Sequence, residues 1–310
     1  MSSQAEHQAV LKEPAVAGLN IKSQGAYVDA TFGRGGHSQA ILDKLSDRGR
    51  LLVIDRDPQA IVKANELAAA DARVSVAHCE FSQLGRVIRE WTNEGSVDGI
   101  LFDLGVSSPQ LDDAERGFSF MRSGPLDMRM NPMQGSSAAA WINSASPEEI
   151  ADVLFRYGEE RHSRRMARAI VDARSESPIT TTNRLAEIIK QANPSWERDK
   201  HPATRAFQAI RIFINNELEE LQSALEQAVS ALAPGGRLAV ISFHSLEDRI
   251  VKNFMALQTK GDSFPRGLPV TTAALNPKLK TIGKKIQADP EEVRHNPRAR
   301  SAVLRIAEKL

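Results

Sequence analysis

The 310-residue sequence contains a single cysteine, nearly balanced charges and no long apolar run. Cys79 alone excludes an internal disulfide and a cysteine cluster for zinc, so it is interpreted as a small buried hydrophobe, and no metal is predicted. No stretch approaches the roughly 18 apolar residues of a membrane span, and the first residues lack the basic and apolar segments of a secretory signal. These absences predict a reduced, soluble, cytoplasmic protein without membrane contact.

The run TFGRGGHS, residues 31–38, is the most informative motif that is present. It follows an apolar segment that ends in Asp29 and precedes a helix-like stretch, after which a second apolar segment ends in Asp55. The order strand, glycine turn, helix, strand and acid is typical of a nucleoside-binding site, in which backbone approaches the ligand closely and the second acid binds a ribose.

The glycine pattern favours one cofactor over another. A dinucleotide fingerprint requires G-x-G-x-x-G, and although Gly33 and Gly35 fit, the third position is Ser38. Asp29 at the strand end would repel a pyrophosphate and attract a cationic ligand with an ammonium and a sulfonium group. We therefore expect S-adenosylmethionine rather than NAD; the alternative is a tight turn whose glycines serve packing only.

Strand-like and helix-like segments alternate along the first part of the chain, which predicts an α/β fold with a parallel sheet covered on both faces. Ligands in such sheets bind outside the carboxyl ends of the strands, where Asp29, Asp55, Phe81 and Asp103 would converge. The alternation stops between Asp103 and a strand near residues 236–242, too long a gap for one crossover. The predicted organisation is a discontinuous sheet domain, residues 1–112 and 203–310, interrupted by a helical insertion, residues 113–202.

Two further elements are predicted in the second half of the sheet domain. Apolar residues at helical spacing predict a helix that opens at Pro202 and runs toward Leu232. Residues 301–306 predict a final strand at the edge of the sheet.

Longer motifs resemble those of the RsmH (MraW) family over nearly the whole chain. They are DLGVSSPQLDDAERGFSF at 103–120, YGEERHSRRMARAIV at 157–171, HPATRAFQAIRI at 201–212 and ISFHSLEDRIVK at 241–252. The resemblance implies a class I, Rossmann-like S-adenosylmethionine-dependent methyltransferase with a helical insertion domain. It also implies transfer of a methyl group to the exocyclic N(4) amine of a cytidine in the decoding region of 16S ribosomal RNA, in the small ribosomal subunit or its precursor. A homodimer is one arrangement that the sequence leaves open.

The resemblance places the cofactor contacts on seven residues of this chain. They are Gly35, Gly36, His37, Asp55, Phe81, Asp103 and Gln110. The roles fit the residue types, since a carboxylate such as Asp55 can accept hydrogen bonds from both ribose hydroxyls and Phe81 offers a flat face for adenine. Alternatives stay open for two of them: His37 capping the next helix, and Phe81 serving as plain core. Gln110 depends on the resemblance alone.

Two residues are candidates for the acceptor side of the reaction. Methyl transfer requires the donor carbon and acceptor nitrogen to be aligned at about 3–3.5 Å, and a nearby acceptor can orient the amine and take its surplus proton. Asp103 is the first candidate, with cofactor binding alone as its rival role. His244 is the second, because histidine titrates near neutral pH; the alternative there is that Ser245 caps the following helix.

Because the net charge is only +1, any nucleic-acid contact must come from local patches. Arg161, Arg164, Arg165 and Arg168 share one face of a predicted helix, with apolar residues on another. These arginines are candidates for phosphate contacts in RNA; the alternative is a solvated face paired with nearby acids.

Two other functional classes compete with the methyltransferase. An NAD-dependent oxidoreductase would use the same type of sheet, but Ser38, Asp29 and the lack of a hydride-relay motif count against it. A non-catalytic RNA-binding or ribosome-assembly module would retain the fold, but the intact glycine turn, Asp55 and Asp103 argue against loss of catalysis.

Overall fold

The computed structural model describes residues 9–92, 95–194, 201–262 and 275–310. The chain divides into two compact units. We call Met1–Gly105 with Leu218–Leu310 the sheet unit, and Val106–Glu217 the helical unit.

The sheet unit alternates strands with helices. In the first segment these are α1 Lys12–Leu19, β1 Ala26–Asp29, α2 Gly36–Leu42, β2 Arg50–Asp55, α3 Pro58–Ala70, β3 Val74–His78, α4 Leu84–Trp91 and β4 Val97–Asp103. The helical unit then supplies α5 Ser108–Asp112, α6 Ala138–Ser144, α7 Pro147–Gly158, α8 Ser163–Glu176, α9 Thr182–Ala192 and α10 Thr204–Ile214. The chain returns to the sheet unit through α11 Glu217–Ala231, β5 Leu232–Ser242, α12 Ser245–Lys260, β6 Leu279–Thr281, β7 Ile286–Gln287, α13 Pro290–His295 and β8 Val303–Lys309.

The strands form one sheet in the order β3-β2-β1-β4-β5-β8-β6, with β7 also paired to β8. Strands β1 to β5 are parallel to one another, and β8 is antiparallel to β5, β6 and β7. In β2, Leu52 and Ile54 belong to one apolar core while Leu51 and Val53 belong to another. Alternate residues of a strand face opposite sides, so the sheet is buried on both faces, which is why its strands are almost continuously apolar. The predicted doubly covered α/β fold is confirmed.

Strand β8 corrects one prediction. It lies between β5 and the short strands β6 and β7, so it is not an edge strand. The reason is that residues 279–287 supply two short strands that pair with β8 on the side away from β5.

The helical unit packs its own apolar core from α6 to α10. The single helix predicted from Pro202 toward Leu232 is in fact two helices, α10 and α11. The break is at Asn215, whose side chain accepts from Met130 N at 2.7 Å and donates to the Met128 carbonyl at 2.7 Å. Asn216 takes a left-handed backbone, with φ at 51°, and this ends the helical path.

The limits of the two units differ from the predicted limits of the insertion. Helix α10 and the segment after Gly105 both fall in the helical unit, whereas the sequence placed the limits at residues 113 and 202. Within the described ranges, no helix combines the length and apolar character that crossing a membrane requires.

Candidate active site

The carboxyl ends of β2, β1 and β4 lie side by side. Asp29 of β1 is in register with Val53 on one side and Leu101 on the other. Asp55 therefore ends β2 and Asp103 ends β4 at the same edge of the sheet. The glycine turn lies at this edge, between β1 and α2.

The glycine turn joins β1 to α2. Gly33 and Gly35 have φ of 54° and 78°, a region that strongly favours glycine. A Cβ at Gly35 would also lie 2.9 Å from the Phe32 ring. Phe32 N donates to the Ile54 carbonyl at 3.0 Å and Gly35 N to the Phe32 carbonyl at 2.7 Å, so the turn is held against β2. The turn thus exposes backbone rather than side chains at the strand ends.

Asp29 holds this turn from beneath. Its fully buried carboxylate accepts from Thr31 N at 3.1 Å and from the Ser38 hydroxyl at 2.6 Å. Ser38 stands where a dinucleotide fingerprint has its third glycine, and here its hydroxyl is used for this bond. The sequence argument used Asp29 only for its charge and missed this structural role; the pairing of an acid before the turn with a serine after it was the available signal.

Asp55 ends β2 beside the turn. Its carboxylate accepts from Gly33 N and from Asp57 N, both at 2.8 Å. Burial raises the pKa of Asp55 to about 6, against the lowering effect of these two amides, and repulsion from Asp57 and Asp29 adds to the rise. Each carboxylate oxygen has a second lone pair, so Asp55 retains the capacity to accept from two ribose hydroxyls.

Phe81 follows β3 in a short 3₁₀ turn, Phe81–Gln83. Its ring meets Phe102 edge to face, with centroids 5.4 Å apart. It packs against the sheet core while remaining half-buried, so it is partly core and partly open. This position is compatible with the predicted adenine contact.

Asp103 ends β4, and its backbone N donates to Thr31 Oγ1 at 2.6 Å. Its Oδ2 lies 3.5 Å from His37 Nδ1, while its Oδ1 is buried with no hydrogen-bond partner in the described part of the chain. Burial raises the pKa of Asp103 to about 6; His37 opposes the rise, and the charges of Asp29 and Glu247 add to it. An orphaned, buried carboxylate oxygen at a strand end indicates a ligand that completes it.

His37 is the second residue of α2 and is 4% exposed. Its Nε2 lies 3.1 Å from the Val10 carbonyl oxygen. A carbonyl can only accept, so Nε2 carries a hydrogen and Nδ1 is the nitrogen that faces Asp103. The capping alternative does not describe this side chain, because the residue before the helix is Gly35 and the ring is directed at Val10 and Asp103.

His244 lies outside this arrangement of bonds. It is the N-cap of α12, which begins at Ser245, so the capping residue is His244 and not Ser245. Its Nδ1 accepts from Glu247 N at 3.4 Å and its Nε2 lies 3.1 Å from Glu247 Oε1. Nε2 is nevertheless buried and makes no hydrogen bond within the described residues, and the role of His244 as proton acceptor stays a prediction.

Gln110 and the four arginines belong to the helical unit. Gln110 is buried in α5, and its Oε1 accepts from Ser107 N at 2.8 Å in a capping box. This local bond is the structural role that the spacing of Ser107 and Gln110 could have suggested.

The arginines are all exposed. Arg164, Arg165 and Arg168 lie on α8 and Arg161 just precedes it, while Met166 is buried on the opposite side. None of the four forms an ion pair or a hydrogen bond through its side chain with a described residue, so the alternative of a face paired with nearby acids has no support in the geometry.

The residues at the sheet edge fit S-adenosylmethionine. The turn of Gly33 and Gly35 leaves room for close backbone approach, and Asp55 suits a ribose. The orphaned Oδ1 of Asp103 adds an unsatisfied acceptor near the turn.

Comparisons with known proteins identify the family of the chain. The sequence model of the MraW methylase family matches residues 4–310. Ribosomal RNA small subunit methyltransferase H of Nitrosococcus oceani is 57% identical over 306 residues, which is 98% of this chain and 97% of that protein.

Solved structures give more distant likenesses. A putative rRNA-methylase from Clostridium thermocellum covers 98% of both chains at 13% identity, with a TM-score of 0.46. A putative methyltransferase from Streptococcus mutans in complex with SAH covers 96% of this chain and 97% of its own at 13% identity, with a TM-score of 0.43. Likenesses this distant carry no argument about the site. The match of the family along nearly the whole chain, together with the identity to the Nitrosococcus oceani protein, establishes that this chain belongs to the MraW methylase family.

Proposed function

We propose that this methyltransferase transfers a methyl group from S-adenosylmethionine to the exocyclic N(4) amine of a cytidine in the decoding region of 16S ribosomal RNA. The observation that carries the proposal is the 57% identity to a ribosomal RNA small subunit methyltransferase over nearly the full length of both chains. The match includes the helical unit as well as the sheet unit, so it extends beyond a shared cofactor fold.

The sheet edge supplies the cofactor site. Asp55 would bind the ribose, Phe81 would lie against adenine, and the backbone of Gly35, Gly36 and His37 would receive the methionine part; Asp103 and Gln110 are the other two contacts proposed. When bound, S-adenosylmethionine supplies an electrophilic methyl group on a sulfonium. Asp55 and the glycine turn are held in place by backbone hydrogen bonds within the protein itself. Cofactor binding therefore costs less conformational entropy, because these groups are already ordered.

Asp103 is the group proposed to orient the cytosine amine. That amine is a poor nucleophile because its lone pair is delocalised into the ring, and it must lose a proton once its new bond forms. The ionised Asp103 can accept a hydrogen bond from the amine through Oδ1, which has no other partner among the described residues. His37 Nδ1, 3.5 Å from Oδ2, is placed to share a proton held by Asp103.

The arginines of the helical unit are proposed to bind RNA. Guanidinium groups that have no carboxylate partner in the described structure are available for phosphates, and such contacts raise affinity without reading sequence. The partner is the small ribosomal subunit or its precursor, so the protein is proposed to act in the cytoplasm. A homodimer is proposed as an arrangement for sedimentation analysis to test.

The experiment incubates the purified protein with labelled S-adenosylmethionine and with small ribosomal subunits. The subunits are isolated from cells that lack this protein. Digestion and mass mapping should place one methyl group on N(4) of a single cytidine of 16S ribosomal RNA, and the same site should be unmethylated before the reaction. Large subunits from the same cells are the control and should take no label. Label on another base, or on a ring atom of cytosine, would overturn the proposal.

A further inference from the structure

A second positively charged feature lies in the sheet unit, beside β8 rather than at the ends of β2 and β4. A cavity of about 170 Å³ opens between α12, the turn that joins β6 to β7, and β8. Met255 and Ile306 form part of its floor, and Lys252, Lys284, Lys285 and Arg305 are its charged lining residues. None of the residues assigned above to the cofactor or the acceptor lies in it.

The walls of this cleft are fixed by bonds between its elements. Ile282 N, in the turn, donates to the Ile306 carbonyl of β8 at 2.9 Å. Thr259 Oγ1 of α12 lies 3.3 Å from Thr281 Oγ1 of β6. The cleft is therefore a feature of the packed unit rather than a gap beside a free loop.

The three lysines of the cleft have no carboxylate partner among the described residues. Lys252, Lys284 and Lys285 are exposed, and none of them forms an ion pair within the part of the chain that the structure describes. Arg305 binds Asp248, with Nε–Oδ1 of 2.7 Å and Nη2–Oδ2 of 3.0 Å, which leaves three of its five N–H groups free of that carboxylate. The whole chain carries only +1, so this concentration is not a consequence of general basicity.

Asp248 gives Arg305 a fixed orientation, because two parallel bonds hold a guanidinium in one plane. A fixed arginine with exposed lysines beside it suits a compact polyanionic group. Phosphate meets this description, since its tetrahedral oxygens accept from several directions at once.

We propose that this cleft is a second phosphate-binding site, which takes a backbone phosphodiester of the RNA substrate. The inference rests on the proposed function for the presence of an RNA, but it does not depend on which cytidine is modified. The sheet unit would then hold RNA by its backbone as well as carry the cofactor site.

The test compares three variants of the full-length protein. Lys252→Gln, Lys284→Gln and Lys285→Gln are combined in the first, and the same three positions changed to Arg form the second. The matched control combines Lys12→Gln, Lys44→Gln and Lys63→Gln, which removes the same charge from elsewhere in the sheet unit. Binding of a 16S ribosomal RNA fragment is measured by anisotropy as a function of salt, and thermal unfolding checks that each variant folds.

The glutamine variant is expected to bind RNA about tenfold more weakly at low salt, with a log–log salt slope shallower by about two to three, because each lost phosphate contact removes roughly one unit. The arginine variant should retain the wild-type slope and the control should lose much less affinity. Equal losses in the cleft variant and the control would overturn the proposal, because they would show an effect of net charge alone.

A second measurement separates RNA from a free anion. Inorganic phosphate is titrated while the Arg305 side-chain NMR signal is followed, and wild type but not the glutamine variant should respond. A response to phosphate with unchanged RNA binding would make the cleft a site for a small anion and would overturn the RNA assignment. Failure of the proposed function would give a different result. The wild-type protein would then leave the target cytidine unmodified, but the RNA affinities of the variants could still be compared.

Discussion

The candidate residues of the two units differ in how they are held. In the sheet unit, Asp29 and Asp55 each accept two hydrogen bonds from nearby groups, and Asp103 lies against a buried histidine. In the helical unit, the arginines of α8 are exposed and unpartnered within the described structure. The first arrangement suits a small ligand of fixed shape, and the second suits a large polyanion whose position is set by many weak contacts.

The comparison is tested most strongly by Asp103→Asn. The amide keeps the shape but loses the charge and the capacity to take a proton, so kcat should fall about a hundredfold or more while cofactor affinity changes little. Steady-state kinetics at saturating S-adenosylmethionine and calorimetric titration of the cofactor measure the two quantities separately.

Asp98→Asn is the matched control, since Asp98 lies at the opposite end of the same strand, where it binds Lys22. It should leave kcat near the wild-type value. If Asp103→Asn instead weakens cofactor binding strongly and saturating cofactor restores turnover, Asp103 belongs to the cofactor, and His244 becomes the first candidate for the proton.

Asp55→Ala should weaken S-adenosylmethionine binding about ten- to hundredfold, because a hydrogen-bonded charged acceptor is worth roughly 1.5–3 kcal/mol. The dissociation constant from calorimetry is the measurement. Asp71→Ala removes an acid of the same unit that pairs with Arg73 and should have no such effect. An unchanged dissociation constant for Asp55→Ala would remove the ribose contact from Asp55.

Replacing three arginines of the helical unit tests the other side of the comparison. Arg161→Gln, Arg164→Gln and Arg168→Gln together should weaken RNA binding about tenfold and flatten its salt dependence, since fewer counterions are released. Cofactor affinity should match wild type, and the three Arg→Lys changes should preserve the salt slope. If neither the RNA affinity nor its salt slope changes, these arginines are solvated surface residues that do not contact RNA.

The smallest effect concerns pH. The pKa of Asp55 is raised by burial to about 6, so below that pH the carboxyl is protonated and loses part of its strength as an acceptor. Cofactor affinity should therefore rise as pH increases through 6, by about fourfold between pH 5.5 and 7.5 for one such group. In the Asp55→Asn variant, cofactor affinity should depend less on pH, because the amide does not titrate. A wild-type cofactor affinity that stays constant between pH 5.5 and 7.5 would contradict the role of a titrating Asp55.

The sequence predicts which acids lie at the carboxyl edge of the sheet better than it predicts the hydrogen bonds among the side chains there. Apolar runs that end in Asp55 and Asp103 identify both strands and both acids, because a buried parallel strand has few other places for a charge. The bond from Ser38 to Asp29 and the pairing of His37 with Asp103 depend on side-chain directions that spacing does not specify. The break at Asn215 was missed for a related reason, since its cause is a bond to Met130, far away in sequence.

Strand β8 shows the same limit on a larger scale. Its apolar pattern marks a strand, but whether it is at the edge depends on the short partners β6 and β7. Elements of two or three residues have no periodicity to detect, so the position of β8 could not be read from its own sequence.

The pairing of β4 with β5 has a consequence for biosynthesis. Asp103 is in register with Ile241, and the entire helical unit is encoded between them. As the chain leaves the ribosome, β1 to β4 emerge first, and β4 exposes a row of unpaired backbone groups until β5 has been translated. Non-local pairing of this kind slows folding, and an open strand edge invites association with other chains. The helical unit, whose contacts close within one continuous segment, can mature during that delay, so destabilising it should lower the yield of soluble protein before it affects the chemistry of the sheet edge.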